Sequence, residues 1–342
     1  MLDRISSYLH CLENPAQWAV ATIVSAQGSS PSPVGTSMAI SAELEIIGSL
    51  SGGCVESSVA VAAQDAICEG TVQRLSFGPD GTPFGQAGLG VALTCGGEIE
   101  VVIQPLLTAD LAQLRQLAVT DPRTAATLTR SMTDHTGARF TVEERRAAAP
   151  RLILSGVQDF SVHLAHLAAQ AGWRVDMVEL RPAFGTAKRI PSGVDLRMGH
   201  PSSVVADLLS QSQDSWTGVV VMTHHTDLDV PVLDAALSWA AEKSQSDDDA
   251  RRFIGAMGSR SSAARRDAAL ADLGHSAEDR ARVVSPMGLD LGAESPAEAA
   301  VSMMAQLIAA KNAATAAPLT QRTGPINSDR PRSLSIIREM AV

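Results

Sequence analysis

The 342-residue sequence is poor in aromatic residues and has no long apolar run. Aromatics make up 3% of the chain, which leaves few platforms for stacking nucleic-acid bases. The 37 acidic residues exceed the 27 basic ones and give a net charge of -10, which disfavours binding to phosphate backbones. No stretch has the length of a membrane-spanning helix, and the opening MLDRISSYLHCLENP has no apolar signal core. We therefore expect a cytoplasmic protein with no membrane span and no nucleic-acid partner.

Cysteines are also scarce. The four present are too few for a disulfide scaffold and form no C-x-x-C pair, which argues against zinc ribbons and most iron–sulfur clusters. Cys11 and Cys68 fall within amphipathic helical patterns and are interpreted as packing residues. Any chemical role therefore belongs to Cys54 or Cys95, acting as a thiol.

What the chain does have is 45% hydrophobic residues, typical of a globular protein, and enough length for two domains. From Arg151 onward, short apolar strands alternate with helices, which predicts a parallel sheet covered on both faces. The expected class is α/β: a small α+β domain over 1–106, then a Rossmann-like doubly wound domain over 151–312. A helix and hairpin over 107–150 are expected to connect the two, and 313–342 to form a flexible tail.

The hydrophobic pattern also places individual elements. In the first domain it predicts an opening helix, strands over 18–26, 37–40, 45–50 and 98–104, and a helix over 54–69 that Gly70 ends. In the second it predicts strands over 152–154, 174–180, 194–198, 218–223 and 252–257, and helices over 161–171, 202–211, 230–243, 260–273 and 296–311. The last helix begins with a capping box formed by Ser295 and Glu298.

A glycine–cysteine loop joins a predicted strand to a predicted helix at Gly52, Gly53 and Cys54. Free backbone N–H groups at the start of a helix attract anions and favour a thiolate. Glu56 lies in the first helical turn, where a carboxylate also interacts well with the helix dipole. The loop is thus a candidate ligand site, although a buried cysteine in an ordinary turn is the simpler explanation when the loop is taken alone.

Two further small-residue loops belong to the same domain. Cys95, Gly96 and Gly97 lie where a glycine-rich segment enters a strand, and Gly28-Ser29-Ser30-Pro31 follows another strand. Paired glycines let backbone approach a ligand closely, and serines add hydroxyl donors. Each loop alone is also an ordinary turn.

In the second domain, Gly156 stands at the strand–turn–helix position of a dinucleotide fingerprint. Gln158 and Ser161 replace the other two glycines of that fingerprint, so weak or absent nucleotide binding is predicted. Glu179, at the end of the next strand, occupies the position of a ribose-binding acid.

Two more candidates follow later strands. His224 lies at the carboxyl edge of the predicted sheet, where a metal or proton-transfer role and a simple capped loop are equally compatible with the pattern. Ser259 and Arg260 open a helix after Gly258, which is typical of an anion clamp and also of an ordinary cap.

Several motifs together resemble one family. They are Gln27-Gly28-Ser29-Ser30-Pro31, Gly48-Ser49-Leu50-Ser51-Gly52-Gly53-Cys54-Val55-Glu56, Cys95-Gly96-Gly97, Val220-Val221-Met222-Thr223-His224, Ile254-Gly255-Ala256-Met257-Gly258-Ser259-Arg260 and Pro286-Met287-Gly288-Leu289-Asp290-Leu291-Gly292-Ala293. Their order resembles the xanthine dehydrogenase accessory (XdhC/CoxI) family over residues 1–312. The resemblance implies a molybdenum cofactor chaperone that assists sulfuration by a cysteine desulfurase and delivers the cofactor to an apo-molybdenum hydroxylase of the xanthine or carbon monoxide dehydrogenase type.

The resemblance also assigns residues. It implies cofactor contact by Cys54, a molybdenum ligand candidate, and by Cys95, with a cradle at Gly52, Gly53, Gly96 and Gly97 and contributions from Gly28, Ser29, Ser30 and Glu56. Molybdopterin has a phosphate, a dithiolene and a pterin, which call for N–H donors, close glycine approach and a soft thiolate. A homodimer is compatible with the sequence. The alternative function is an NAD(P)-dependent oxidoreductase that uses the Rossmann-like half.

Overall fold

The computed structural model describes residues 1–28, 30, 32–78, 96–211, 216–243 and 252–323, and the backbone of 334–340. The chain divides into two compact units, Met1–Ala148 with Leu319–Val342, and Ala149–Pro318. The first is α+β with an antiparallel sheet, and the second is a doubly wound parallel sheet. The predicted fold class is therefore confirmed.

Up to Ala148, the first unit contains every element predicted for it and one more strand. After a 3₁₀ turn at Ile5–Tyr8, its elements are α1 (Leu9–Glu13), β1 (Trp18–Gln27), β2 (Ser37–Ser41), β3 (Ile46–Gly48), α2 (Glu56–Glu69), β4 (Gln73–Phe77), β5 (Glu98–Pro105), α3 (Leu111–Val119), β6 (Ala126–Thr133) and β7 (Arg139–Arg146). Strand β4 was not predicted, because its residues are all partly exposed except Phe77. Gly70 ends α2 in a left-handed conformation, as predicted.

The antiparallel sheet of the first unit has the order β3-β2-β1-β5-β4. Helix α2 covers one face with Val59, Ala63 and Ala66, which pack against Ile23 and Ile99. A second sheet and the N-terminal helical segment cover the opposite face.

The segment predicted as a connector, 107–150, belongs to the first unit up to Ala148. It forms a helix and a hairpin, as expected, and these pack onto the rest of the first unit. Leu114 of α3 and Leu128 of β6 are buried with Leu2 and Tyr8, and Phe140 of β7 is buried with Val102. Burial of these apolar side chains holds the segment in place.

The second unit is built from alternating strands and helices. Its elements are β8 (Arg151–Ser155), α4 (Asp159–Gln170), β9 (Arg174–Glu179), β10 (Val194–Met198), α5 (Pro201–Ser210), β11 (Thr217–Val221), α6 (Thr226–Lys243), β12 (Arg252–Ala256), α7 (Arg260–Asp272), α8 (Ala277–Ala281), β13 (Val283–Val284) and α9 (Pro296–Lys311). The predicted capping box of Ser295 and Glu298 is present at the start of α9. The short elements α8 and β13 were not predicted.

The sheet of this unit is parallel and follows the order β10-β9-β8-β11-β12-β13. This is the order of a dinucleotide-binding fold, with the reversal of strand order between β8 and β11. One core cluster packs α4 and α9 on one face, and another packs α5, α6 and α7 on the other. The carboxyl ends of these strands lie at one edge, where such sheets hold their ligands.

Part of the predicted flexible tail forms regular structure. Strand β14 (Leu334–Met340) pairs antiparallel with β7 and completes a three-stranded sheet in the order β14-β7-β6. The backbone hydrogen bonds of this pairing attach the segment to the first unit.

Candidate functional site

The glycine loops of the first unit all leave its sheet at one edge. Gln27 at the end of β1 pairs with Glu98 at the start of β5, and Phe77 at the end of β4 pairs with Ile99. On the other side of the sheet, Gly48 at the end of β3 pairs with Met38 near the start of β2. The register therefore brings the loops after β1, β3 and β4 to the same edge, here called the loop edge.

Two of the predicted loops touch there. A side chain added at Gly28, whose φ is +66°, would place its Cβ 3.4 Å from the Cα of Gly97. Gly97 is buried, whereas Gly96 is exposed and adopts a φ of +75°. Ser30 is buried and its hydroxyl donates to the carbonyl of Ser32 at 2.7 Å, so it closes the turn that follows Gly28. Ser29 and Cys95 lie outside the described residues.

The carboxylate of Glu56 lies inside the loop that precedes its own helix. It accepts hydrogen bonds from two hydroxyls and from five backbone N–H groups. The hydroxyls are those of Ser49 (2.7 Å) and Ser51 (2.6 Å), and the amides are those of Leu50 (3.0 Å), Ser51 (2.7 Å), Gly52 (3.1 Å), Gly53 (2.9 Å) and Val55 (3.2 Å).

These contacts change how the loop can be used. Burial raises the pKa of Glu56, but the hydrogen bonds from Ser51 and Ser49 outweigh burial and hold the pKa well below its usual range, so Glu56 is ionised. The expectation that the Gly52 and Gly53 amides are free for an anionic ligand is therefore corrected. The anion at this helix N-terminus is the chain's own carboxylate.

What the loop leaves accessible is its thiol and its glycines. Cys54 is half-buried and packs against the core under α2. Gly52 and Gly53 are exposed, with φ of +76° and +119°, and a Cβ added at either would meet no other described atom within 4 Å. The loop therefore presents two exposed glycines beside a half-buried thiol, and the hydrogen bonds to Glu56 hold its backbone in place.

The two cysteines interpreted as packing residues differ from Cys54. Cys11 is buried, and burial raises the pKa of its thiol to about 12, so it stays protonated near neutral pH. Cys68 is exposed near the far end of α2, so its expected packing role is not supported by its environment. Its exposure makes Cys68 a matched control for Cys54.

In the second unit, the turn at Gly156 is closed by the protein itself. Gly156 has a φ of +107°, and any Cβ there would overlap the Thr223 side chain. Glu179 is 3% exposed and accepts from the Val157 amide at 2.9 Å and from the Arg181 guanidinium at 2.9 and 3.0 Å. Burial raises the pKa of Glu179, but hydrogen bonds from Arg181 and Val157 bring it below the usual value.

The residues that replace the fingerprint glycines also serve this turn. The Gln158 side chain donates to the carbonyl of Met222, and the hydroxyl of Ser161 accepts from the Gln158 amide at 2.8 Å. The Glu179 carboxylate, which was expected to hold a ribose, thus accepts hydrogen bonds from Arg181 and from the backbone of the turn. The geometry supports the prediction of weak or absent nucleotide binding.

His224 is exposed just before α6. A nearby residue that the sequence analysis did not single out, Asp229, is more informative. Asp229, 1% exposed, accepts from the hydroxyl of Thr223 and from Arg266 of α7 at 2.8 Å. Arg266 also donates to the carbonyls of Thr223 and Met257, at 3.0 Å each. This buried pair joins the ends of β11 and β12 to two helices. In the sequence, Arg266 was visible only as one of several arginines in a predicted helix, which gave no signal of a partner.

Ser259 is the N-cap of α7 and accepts from the Ser262 amide at 3.2 Å. Arg260 is exposed as the first residue of that helix. The cap accounts for Ser259 without a ligand, and an anion clamp at this pair stays a prediction.

Within the part of the chain that the structure describes, no group of three His, Cys, Asp or Glu side chains is placed to hold a metal ion. In the same residues, no helix combines the length and the apolar character that crossing a bilayer requires.

Comparison with known proteins agrees with this two-unit architecture. The family model described as the XdhC and CoxI family matches residues 11–78, and the model described as the XdhC Rossmann domain matches residues 152–307. The chain is 28% identical over 337 residues to a protein of Bacillus subtilis (strain 168) named as a probable xanthine dehydrogenase subunit. That match covers 87% of this chain and 94% of the Bacillus protein.

A second relative is the molybdenum cofactor insertion chaperone PaoD of Escherichia coli (strain K12), 25% identical over 299 residues, or 84% of this chain and 81% of PaoD. A solved structure of a xanthine dehydrogenase from Bacillus halodurans shares the fold with a TM-score of 0.66 and 20% identity, over 88% of this chain and 95% of that one. One family model matches a segment of the first unit, and the other matches most of the second unit. The chain belongs to the XdhC and CoxI family.

Proposed function

We propose that this chain is a molybdenum cofactor chaperone that holds the cofactor at the loop edge of its first unit and assists its insertion into a molybdenum hydroxylase. The observation that carries the proposal is the loop at 49–56, where Glu56 fixes the backbone and leaves Cys54 beside two open glycines. The names of the two relatives, an insertion chaperone and a probable xanthine dehydrogenase subunit, support it.

Each group at the loop edge has a separate task in this proposal. The Cys54 thiolate contacts the molybdenum, because sulfur is the soft ligand that this metal centre accepts beside its dithiolene. Gly52 and Gly53 let the flat pterin approach the backbone, since no described atom lies within 4 Å of a Cβ added at either. Glu56 does not touch the cofactor. It keeps the loop from collapsing when the cofactor leaves.

Because the amides of Gly52 and Gly53 already donate to Glu56, they are not available for the phosphate of the cofactor. In this proposal that phosphate reaches the segment at Gly28 and Gly96 instead, at the same edge of the sheet. The finer parts of the proposal are sulfuration of the held cofactor by a cysteine desulfurase and delivery to an apo-enzyme of the xanthine or carbon monoxide dehydrogenase type.

The direct test is the cofactor content of the purified full chain from cells supplied with molybdate. We expect molybdenum by mass spectrometry and the oxidised pterin by fluorescence in the wild type and in Cys68→Ala, and loss of most of both in Cys54→Ala. The same three proteins should melt at the same temperature, because a half-buried thiol adds little packing beyond alanine. We expect a smaller loss in Cys95→Ala.

Normal loading of Cys54→Ala would remove the thiolate from the proposal. A second measurement tests the function itself: the loaded chain should restore activity to a cofactor-free molybdenum hydroxylase, and Cys54→Ala should not. Failure of the wild type to load and to activate would overturn the chaperone proposal. Light scattering of the loaded chain tests whether it forms a homodimer.

A further inference from the structure

Helix α9 is apolar around most of its circumference. Of its 16 residues, only four have polar side chains, which are Glu298, Ser302, Gln306 and Lys311. A helix with so few polar residues on all sides is normally buried in a protein or in an assembly. The structure buries one side of α9, which packs with α4 in the core of the second unit. The fold of one copy therefore does not account for the apolar character of the other side.

The two uncharged polar side chains of α9 are used within the protein. The hydroxyl of Ser302 donates to the carbonyl of Leu289 at 2.6 Å. The side-chain oxygen of Gln306 accepts from the amide of Gly288 at 2.7 Å. Both contacts hold the segment that precedes the helix, and neither side chain serves the exposed face.

The exposed face of α9 is formed by Val301, Ala305 and Ile308, here called the α9 stripe. Val301 is 50% exposed and Ile308 is 41% exposed, with the half-buried Ala305 between them. Residues three or four apart lie on the same side of a helix, so the three side chains form one continuous strip. Glu298 lies toward the start of this strip and Lys311 toward its end. The α9 stripe is thus uncharged in the middle and has opposite charges at its two ends.

This pattern is complementary to a second copy of itself. In an antiparallel pair of α9 helices related by a two-fold axis beside Ala305, Val301 meets the partner's Ile308. The same register places Glu298 opposite the partner's Lys311. Each apolar contact and each ion pair then occurs twice, as a two-fold interface requires. The small side chain of Ala305 at the centre lets the two helices approach closely.

Charge favours a second copy at this face. The chain has a net charge of -10, so two copies repel each other across most of their surfaces. The charged ends of the α9 stripe are also held in position. The Glu298 carboxylate accepts from the amides of Glu294 and Ser295 at 2.9 and 3.0 Å, and Lys311 donates to the Asn312 side chain at 2.8 Å.

We propose that the α9 stripe is a homodimer interface, in which α9 of one copy packs antiparallel on α9 of the other. A helix of 16 residues is about 24 Å long, which is short for a permanent interface. The dimer is therefore weak and depends on concentration. The inference does not depend on the cofactor proposal, because the α9 stripe belongs to the second unit and the Cys54 loop to the first.

Sedimentation velocity of the full chain at several concentrations tests the interface. The wild type should change from monomer to dimer at roughly micromolar concentration. Val301→Glu should raise the dissociation constant about a hundredfold or more, because it buries a carboxylate opposite an apolar side chain. Leu273→Glu is the matched control, since Leu273 is 57% exposed at the end of α7, on the other face of the sheet. It should dimerise as the wild type does.

Charge reversal tests the antiparallel register. Lys311→Glu and Glu298→Lys should each raise the dissociation constant about tenfold, because two pairs of opposite charges become two pairs of like charges. An equimolar mixture of the two variants should dimerise as tightly as the wild type, since every pair is then of opposite charge. Both variants keep a net negative charge, so general attraction between them does not explain such a recovery. The recovery also shows that both variants are folded.

Three results would overturn the proposal. One is a wild type that stays monomeric up to about millimolar concentration. Another is a dimer that Val301→Glu leaves unchanged, or that the mixture of charge-reversed variants does not restore. The third is a monomeric wild type whose Val301→Glu variant no longer activates a molybdenum hydroxylase, which would assign the α9 stripe to that enzyme instead of a second copy.

Discussion

The loop at Cys54 and the turn at Gly156 both join a strand to a helix, and in both a carboxylate of the chain accepts backbone N–H groups that a ligand would otherwise use. They differ in what remains accessible. At Gly52 and Gly53 nothing described stands above the glycines, whereas Gly156 is buried under Thr223. Glu56 therefore holds the backbone beneath two exposed glycines, whereas Glu179 stabilises a turn that is buried.

This difference separates two uses of glycine. At Gly52 and Gly53, glycine provides left-handed backbone, and no described atom occupies the space around an added Cβ. At Gly156, glycine is required because the Thr223 side chain at the end of the neighbouring strand leaves no room for a Cβ. A glycine at a strand–helix junction is thus a sign of ligand binding only when the space above it is empty.

The largest expected effect that tests this comparison is that of Gly156→Ala. The new Cβ overlaps Thr223 and the φ of +107° is unfavourable for alanine, so we expect about 2–4 kcal/mol of destabilisation of the second unit. Gly52→Ala, with a φ of +76° and open space, should cost about 1 kcal/mol. Calorimetric melting measures both.

Gly172→Ala is the control within the second unit, because Gly172 has a φ of +79° and no described atom within 4 Å of an added Cβ. It should resemble Gly52→Ala. Equal losses for Gly156→Ala and Gly172→Ala would show that φ alone matters and that the close approach of Thr223 does not.

An intermediate effect is expected at the two carboxylates. Glu56 and Glu179 have pKa values below the ordinary value of 4.5, so each stabilises the fold at neutral pH, and that contribution is lost as pH falls below about 4.5. Glu56→Gln and Glu179→Gln should each lower stability at pH 7 by about 2 kcal/mol and make melting less dependent on pH in the acid range.

The two variants should differ in where the chain loosens. Hydrogen exchange should rise at residues 50–55 in Glu56→Gln and at Val157 in Glu179→Gln. Glu69→Gln, at the exposed end of α2, should change neither. Unchanged exchange of the loop in Glu56→Gln would contradict the bracing role.

The smallest effect is expected from nicotinamide dinucleotides. Because Glu179 is committed to Arg181 and the turn is closed by Gln158, adding NAD or NADH should leave the melting temperature and the calorimetric baseline unchanged. Tight binding that depends on Glu179 would revive the oxidoreductase alternative and remove the distinction between the two junctions.

Much of the fold was predictable because it is encoded in short-range patterns. The alternation of apolar strands and helices after Arg151 indicated the parallel sheet, and the capping box at Ser295 and the stop at Gly70 marked helix ends. The packing of 107–148 onto the first unit was not predictable, because it depends on Leu114 and Leu128 meeting the N-terminal residues, which no local pattern reveals.

The candidate site was only half predictable for a related reason. Composition and spacing pointed to Cys54 and its glycines, and Glu56 was visible as a helix-start carboxylate. That its side chain turns back into the loop was not visible, although the alternating Ser49 and Ser51 hydroxyls were a signal for it. The pairing of Asp229 with Arg266 joins residues on two helices and depends on the finished sheet.

The bracing of the Cys54 loop is encoded within a very short piece of sequence. Every described donor to Glu56 lies among the seven residues that precede it, so the hydrogen bonds that brace the loop involve no distant strand. Such local contacts form early in folding and survive transfer to a new context. Segment 49–56 should therefore keep its conformation when grafted onto another strand–helix junction, which the turn at Gly156, dependent on β9 and β11, would not.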